Sequence, residues 1–231
     1  MSYDILHDSL AHIRKLHKAA GYPREYRSFA KYLGVRPRFG DRNYSYINEH
    51  GQPFLVLNFE NYNRRISFAA MHELAHLALK SAGFEWQLYA EYEDTEIADM
   101  YLEKFCDVAA SCLIAPDHFV EEAIDIWGYS PMAVRHLSNR TKIDLKMAMN
   151  MIIHHDEHAS VAGFITSGKT VLAAARHNCN LPLRKWDRLP SSHPVFSARA
   201  GTATLVHVDD AEMICMRIPG TEKRLALVIS N

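Results

Sequence analysis

Residues 68–79 read Phe-Ala-Ala-Met-His72-Glu73-Leu74-Ala75-His76-Leu-Ala-Leu, an apolar run that carries an HExxH pattern at its centre. On a helix of 3.6 residues per turn, positions 72 and 76 lie only about 40° apart, so both imidazoles can reach one ion. On the same wheel Ile66, Ala70, Leu74 and Leu77 centre about 160° from His72. That arrangement predicts histidines facing away from a buried stripe, toward a cleft. Glu73 falls beside the ion without binding it, where a carboxylate can take a proton from water. With 14 histidines in 231 residues, a shuffled chain would contain the pattern roughly one time in twenty, so its helical context matters.

A catalytic zinc needs a third protein ligand and an open position. Downstream acids are Glu91, Glu93, Asp94, Glu96, Asp99, Glu103 and Asp107. The first four lie in a polar connection that reads as a solvated acidic loop. Glu103 sits in a long helix expected over 95–115, ended by Pro116, with Leu102, Phe105, Ala109 and Cys112 on an adjoining packing face. Packing of that helix on the HExxH helix would aim Glu103 inward, and a cation would offset the cost of burying its charge. Asp107 is the rival ligand, better read as an acceptor for one histidine N–H. Spacing alone leaves both open.

Working outward, residues 4–20 and 23–33 read as helices ended by Gly21 and Gly34. Residues 44–47 and 53–59 read as two strands joined by Asn48-Glu49-His50-Gly51, the second either an internal hairpin strand or one onto which a substrate segment adds. The Asn and Arg cluster at 61–65 opens the HExxH helix, which runs through Lys80. Helical patterning continues from Asp117, with Ser130-Pro131 as N-cap and first helical residue and short helices at about 131–138 and 144–155. Strand-like runs follow at 160–166, 170–175, 202–208, 213–218 and 225–230. The chain thus reads as α+β, with a composition boundary near 156–160.

Composition narrows the function. Hydrophobic residues make up 48% and charged residues 23%, ordinary for a globular protein. A net charge of -1 argues against nucleic acid as the main partner. The apolar stretches fall short of a membrane span. The first residues carry no secretory pattern, and the four cysteines show no CxxC spacing, so a cytoplasmic protein with reduced thiols is expected. The run His154-His155-Asp156-Glu157-His158 reads as a solvated helix end, Cys106 as a buried inert thiol, and Trp86, Tyr89 and Tyr92 as aromatic core.

FAAMHELAHLAL, followed by Glu103-Lys-Phe-Cys106-Asp107-Val-Ala-Ala110-Ser-Cys-Leu113-Ile114-Ala-Pro116, resembles the ImmA/IrrE family of metallopeptidases. That family is similar in having an HELAH-type helix followed by E-x-x-A-[ND]-x-F-A-x-x-L-L-M-P. Cys106, Ala109 and Ala115 depart from the pattern at apolar positions, which bear on packing rather than metal binding. The resemblance implies His72, His76 and Glu103 as ligands of zinc, with manganese as an alternative, and Glu73 as the catalytic residue. Leu57-Asn58 before an Arg-containing helix start, the helix pair after Ser130, and His193-Pro194 before three closing strands are similar to the IrrE-like branch. It implies a zincin-like domain over 1–125, a helix-turn-helix-like segment over 126–158, and a shortened GAF-like sheet domain over 159–231. The implied activity is metal-dependent cleavage of an XRE-type helix-turn-helix repressor, releasing stress-response genes. Two rivals remain: a non-proteolytic zincin-fold antitoxin or scaffold, and a DNA-binding regulator using Arg135, Arg140, Lys142 and Lys146.

Overall fold

Helices together with two small sheets give the chain an α+β architecture, described here by a computed structural model for residues 3–58, 66–208 and 211–230. The expected helix opening at 61–65 and the side chain of Ile66 lie outside the described residues. Two compact units meet between Pro116 and Asp117. The helices at 117–153 therefore group with the C-terminal sheet, whereas the sequence placed its divisions at 125/126 and 158/159.

In the first unit, α1 (Tyr3–Ala19) and α2 (Tyr26–Tyr32) precede β1 (Arg36–Gly40), β2 (Tyr44–Ile47) and β3 (Pro53–Asn58). Then come α3 (Ile66–Ser81), α4 (Phe84–Glu91) and α5 (Thr95–Ile114). The sheet order is β1-β3-β2, with β1 parallel and β2 antiparallel to β3. Both edges of β3 are therefore occupied, which rules it out as the strand that accepts a substrate segment. The inner face of β3 sends Leu55 and Leu57 into a core with Ala70, Met71 and Leu74 of α3 and Phe105 and Ala109 of α5. Asp94 caps α5, its carboxylate accepting from the backbone N–H of Glu96 at 2.9 Å.

The outer face of this sheet is sealed by a continuous stack. The Arg38 guanidinium lies 4.2 Å from the Phe54 ring centroid, Phe54 stacks on Tyr46 at 5.1 Å, Tyr46 on Tyr44 at 5.9 Å, and Arg42 covers Tyr44 at 5.4 Å. Cation–π and cross-strand ring contacts of this kind bind the strands to one another. They account for the burial of Phe54 on the side away from the core.

In the second unit, α6 (Asp117–Trp127), α7 (Pro131–Thr141) and α8 (Leu145–Ile153) lead into β4 (Val161–Ser167) and β5 (Thr170–His177). A 3-10 turn at Pro194–Ser197 precedes β6 (Thr204–Val208), β7 (Ala211–Arg217) and β8 (Lys223–Ser230). All pairings are antiparallel, in the order β5-β4-β8-β7-β6. Ser130 and Asp144 cap α7 and α8 through their side chains. Gly163 is where α8 meets the sheet: a Cβ there would stand 3.0 Å from both the Ala226 carbonyl oxygen and Ile153 Cδ1. The opposite face buries Phe164 and Cys215 under Val195 and Leu189 of the 178–200 connection.

Candidate metal centre

Helix α3 is buried around most of its circumference, with Met71 and Ala75 as inaccessible as Ala70 and Leu74. Its histidines accordingly face a neighbouring helix rather than a wide cleft. That neighbour is α5, and small buried residues on both helices (Ala75 and Ala78 on α3, Cys106 and Ala110 on α5) suit a close crossing.

At the crossing, His72 Nε2 lies 3.1 Å from His76 Nε2 and 3.2 Å from Glu103 Oε2, and His76 Nε2 lies 3.3 Å from Glu103 Oε1. Tetrahedral zinc bonds of about 2.0–2.1 Å place ligand atoms about 3.3 Å apart; one ligand atom from each of the three residues lies within 4.8 Å of the others, so the donor set suits a divalent ion in type and comes near it in spacing. Among the described residues this is the group of His, Cys, Asp and Glu side chains close enough together that it could hold a metal ion. One turn further along α5, Asp107 Oδ1 lies 3.0 Å from His72 Nδ1. That contact favours the tautomer with hydrogen on Nδ1 and a free lone pair on Nε2.

Burial differs from the sequence reading. Glu103 was expected to be buried, yet its side chain is 63% exposed, while those of His72 and His76 are 15% and 19% exposed. The carboxylate reaches the imidazoles from the solvent side, so the cost of burying an isolated charge does not arise.

Glu73 is half-buried beside this group. Burial pushes its carboxyl above the ordinary 4.5; a hydrogen bond from the Ser45 hydroxyl and the nearby His72 pull it down, and Glu103 pushes it up. Ser45 reaches it because β2 pairs Ser45 with the core-facing Leu55, on the face of the sheet that packs against α3. His76 is held below 6.5, first by burial and then by His72 and Lys80, against the pull of Glu103 and Asp107. Burial, together with Glu103, lifts the Cys106 thiol far from ionisation, consistent with an inert core cysteine.

Two of the other candidate acids have separate roles. Asp94 caps α5, and Asp99 accepts from the Tyr89 hydroxyl, which that bond and burial push up to about 12. Trp86 is 72% exposed, so it is not the core residue expected, and it belongs to a helix, α4, that the sequence reading took for a connection. In the histidine run, the Glu157 carbonyl faces His177 Nε2 at 3.0 Å, and burial with the adjacent His177 lowers His154. Ser45 was not anticipated; only its place in an alternating strand, one step from two tyrosines, hinted that it faced inward.

No protein-family model matches the chain, and no curated protein matches it in sequence. Among solved structures it is similar to a Mycobacterium tuberculosis transcriptional regulator, with a TM-score of 0.58 over 96% of this chain and 88% of that one. The sequence identity is 9%, so the likeness concerns the fold alone. No helix among the described residues is long and apolar enough to cross a membrane.

Proposed function

We propose that the first unit is a single-metal endopeptidase of the zincin type, with His72, His76 and Glu103 as zinc or manganese ligands and Glu73 as general base. The supporting observation is that the two imidazole Nε2 atoms, 3.1 Å apart, each lie within 3.3 Å of one oxygen of the Glu103 carboxylate, beside the glutamate of an HExxH helix. A divalent cation there supplies Lewis acidity, lowering the pKa of a water to about 7 and polarising a carbonyl. Glu73 takes a proton from the attacking water and returns it to the leaving amine. Ser45 fixes the Glu73 carboxylate from β2, and Asp107 fixes the His72 ring from α5. Among the described residues the strand beside α3 with a free edge is β2, and a substrate segment would lie along it.

The substrate reading rests on the resemblance to the ImmA/IrrE family: an XRE-type repressor, cut in the cytoplasm to release stress genes. The same resemblance supports the zincin-like, helix-turn-helix-like and shortened GAF-like description of 1–125, 126–158 and 159–231. A DNA-binding role for α7 and α8 draws less support. Arg140 lies over the Phe119 ring at 5.1 Å, and α8 buries Ala148, Met149, Ile152 and Ile153.

The test is to incubate the protein, loaded with zinc or manganese, with an XRE-type repressor encoded beside it. Chelator-sensitive cleavage that Glu73→Gln abolishes while retaining metal is the expected result. A stable complex with no cut would replace this reading with the scaffold.

A further inference from the structure

The C-terminal sheet has an edge that is half covered and half open. Strand β5 pairs with β4 on one side. On the other side, its beginning is covered by the 186–189 segment. Val171 N–H donates to the Asp187 carbonyl at 2.9 Å, and Trp186 N–H donates to the Val171 carbonyl at 2.8 Å. Beyond Val171, no backbone group among the described residues bonds to the open side of 173–177. A groove of about 270 Å³ lies against that stretch.

The groove has an apolar floor, from Ala174, Leu181 and Leu183, and a cationic rim, from Arg176, Arg184 and Lys185, with no carboxylate among its lining residues. The nearby acid, Asp187, is turned to the backbone: its Oδ2 accepts from the Arg184 N–H at 2.6 Å. Arg176 is pinned over the groove by a 3.3 Å bond from Nη1 to the Leu181 carbonyl. Next along the rim, Lys185 Nζ stands 4.7 Å from the Trp186 ring centroid. Trp186 is 67% exposed and held at φ +79°, a left-handed conformation that is a genuine outlier for a bulky residue and that clusters at functional positions.

We propose that this open half of β5 is a docking site for an extended acidic segment of a partner protein, which adds as a sixth strand. Unpaired backbone groups supply the strand-to-strand bonds, and the three cations select carboxylates on the incoming chain. A small free anion fits less well, because the cations Arg176, Arg184 and Lys185 are spread along the rim and are not gathered on a point. A nucleic acid would need a longer basic surface than three side chains on a chain of net charge -1. The bland alternative is that the cations only keep the edge from pairing with other sheets. This site lies in the second unit and does not rest on the peptidase reading.

The test uses the full chain and a fluorescein-labelled octapeptide of alternating glutamate and valine, followed by anisotropy. Its lysine–valine counterpart and a version N-methylated at alternate residues serve as comparisons. The expected result is a dissociation constant below about 100 µM, weakened by added salt. It should weaken about tenfold or more for the N-methylated peptide and for the exposed double substitution Arg184→Glu/Lys185→Glu. Thermal melting confirms folding of the variant, and Arg184→Ala serves in its place if the double substitution is unstable. Absence of binding overturns the proposal in favour of a guarded edge. Equal binding of the N-methylated or lysine peptide, or full competition by millimolar inorganic phosphate, overturns it in favour of non-specific or simple anion association.

Discussion

If the proposed metal reading holds, removing Asp107 separates the residues that would hold the ion from the one that would aim them. Its carboxylate stands 3.0 Å from His72 Nδ1 and is not part of the His72, His76 and Glu103 group. Partners of this kind, set behind a metal-bound histidine, contribute about 10–100-fold to metal affinity. Asp107 is 58% exposed, so water and salt screen its charge, and the low end applies: Asp107→Ala should weaken zinc binding about tenfold. Asp107→Asn keeps an oxygen that accepts from Nδ1–H and loses the charge, so a loss of roughly threefold is expected. Competition for zinc against a chromogenic chelator at pH 7.5, in low salt and in 0.5 M salt, reads both values. The gap between wild type and Asn should narrow in high salt, while the gap between Asn and Ala should persist. Should Ala bind within twofold of wild type, Asp107 does not orient His72. Should Asn prove as damaging as Ala, charge rather than tautomer control is at work. Glu103→Ala, which removes a ligand atom, must lose more than either.

Burial holds the Glu73 carboxyl above 4.5, so the folded apo protein binds this proton more tightly than the unfolded chain. The stability it contributes is complete below pH 4.5 and is lost as pH rises through the raised value. Glu73→Gln should therefore melt higher than wild type at pH 7, on the order of 2 °C, with the difference vanishing near pH 4 in chelator-treated samples; an equal gain at both pH values would remove the charge from the explanation. Ser45→Ala should leave zinc affinity unchanged and, in the repressor-cleavage assay, reduce kcat about tenfold with KM unaltered, with Ser45→Thr restoring most of it; a change confined to KM would place Ser45 in substrate binding instead. Gly163→Ala forces a methyl to within 3.0 Å of the Ala226 carbonyl and Ile153, and should cost about 1–3 kcal/mol in urea unfolding. No measurable cost would mean that α8 does not pack against β4 as described.

What could be read beforehand was what sequence encodes locally. The apolar periods of α3 and α5, the Ser130-Pro131 cap and the strands from β4 to β8 all announce themselves within a few residues. Strand β1 does not. Arg36-Pro-Arg-Phe-Gly is exposed throughout, and it becomes a strand through backbone bonds to β3, a segment 18 residues away at the Arg36–Phe54 pair. Missing β1 also hid the position of β3, since a strand with one known neighbour looks like an edge. Helix α4 buries Leu88 alone, so it lacks the stripe that would mark it. Ser45 depends on β2 lying over α3, a juxtaposition that no local pattern specifies.

The exposure of Glu103 needs the same kind of explanation, because a buried carboxylate was the natural expectation for a ligand between two packed helices. The packing surface of α5 is filled by Leu102, Phe105, Cys106 and Ala109. A glutamate at 103 therefore leaves the helix at the margin of that surface and bends back over it. The two imidazoles emerge from α3, and their Nε2 atoms stand 3.1 Å apart. Burial first, and then the neighbouring His72, lowers the proton affinity of His76. Protons compete with a metal for these nitrogens. With His76 held below 6.5, a proton competes less with a metal for that nitrogen at pH 7. On the proposed reading α3 would supply two nitrogen ligands from its buried surface, and α5 would supply an exposed carboxylate whose charge completes the set.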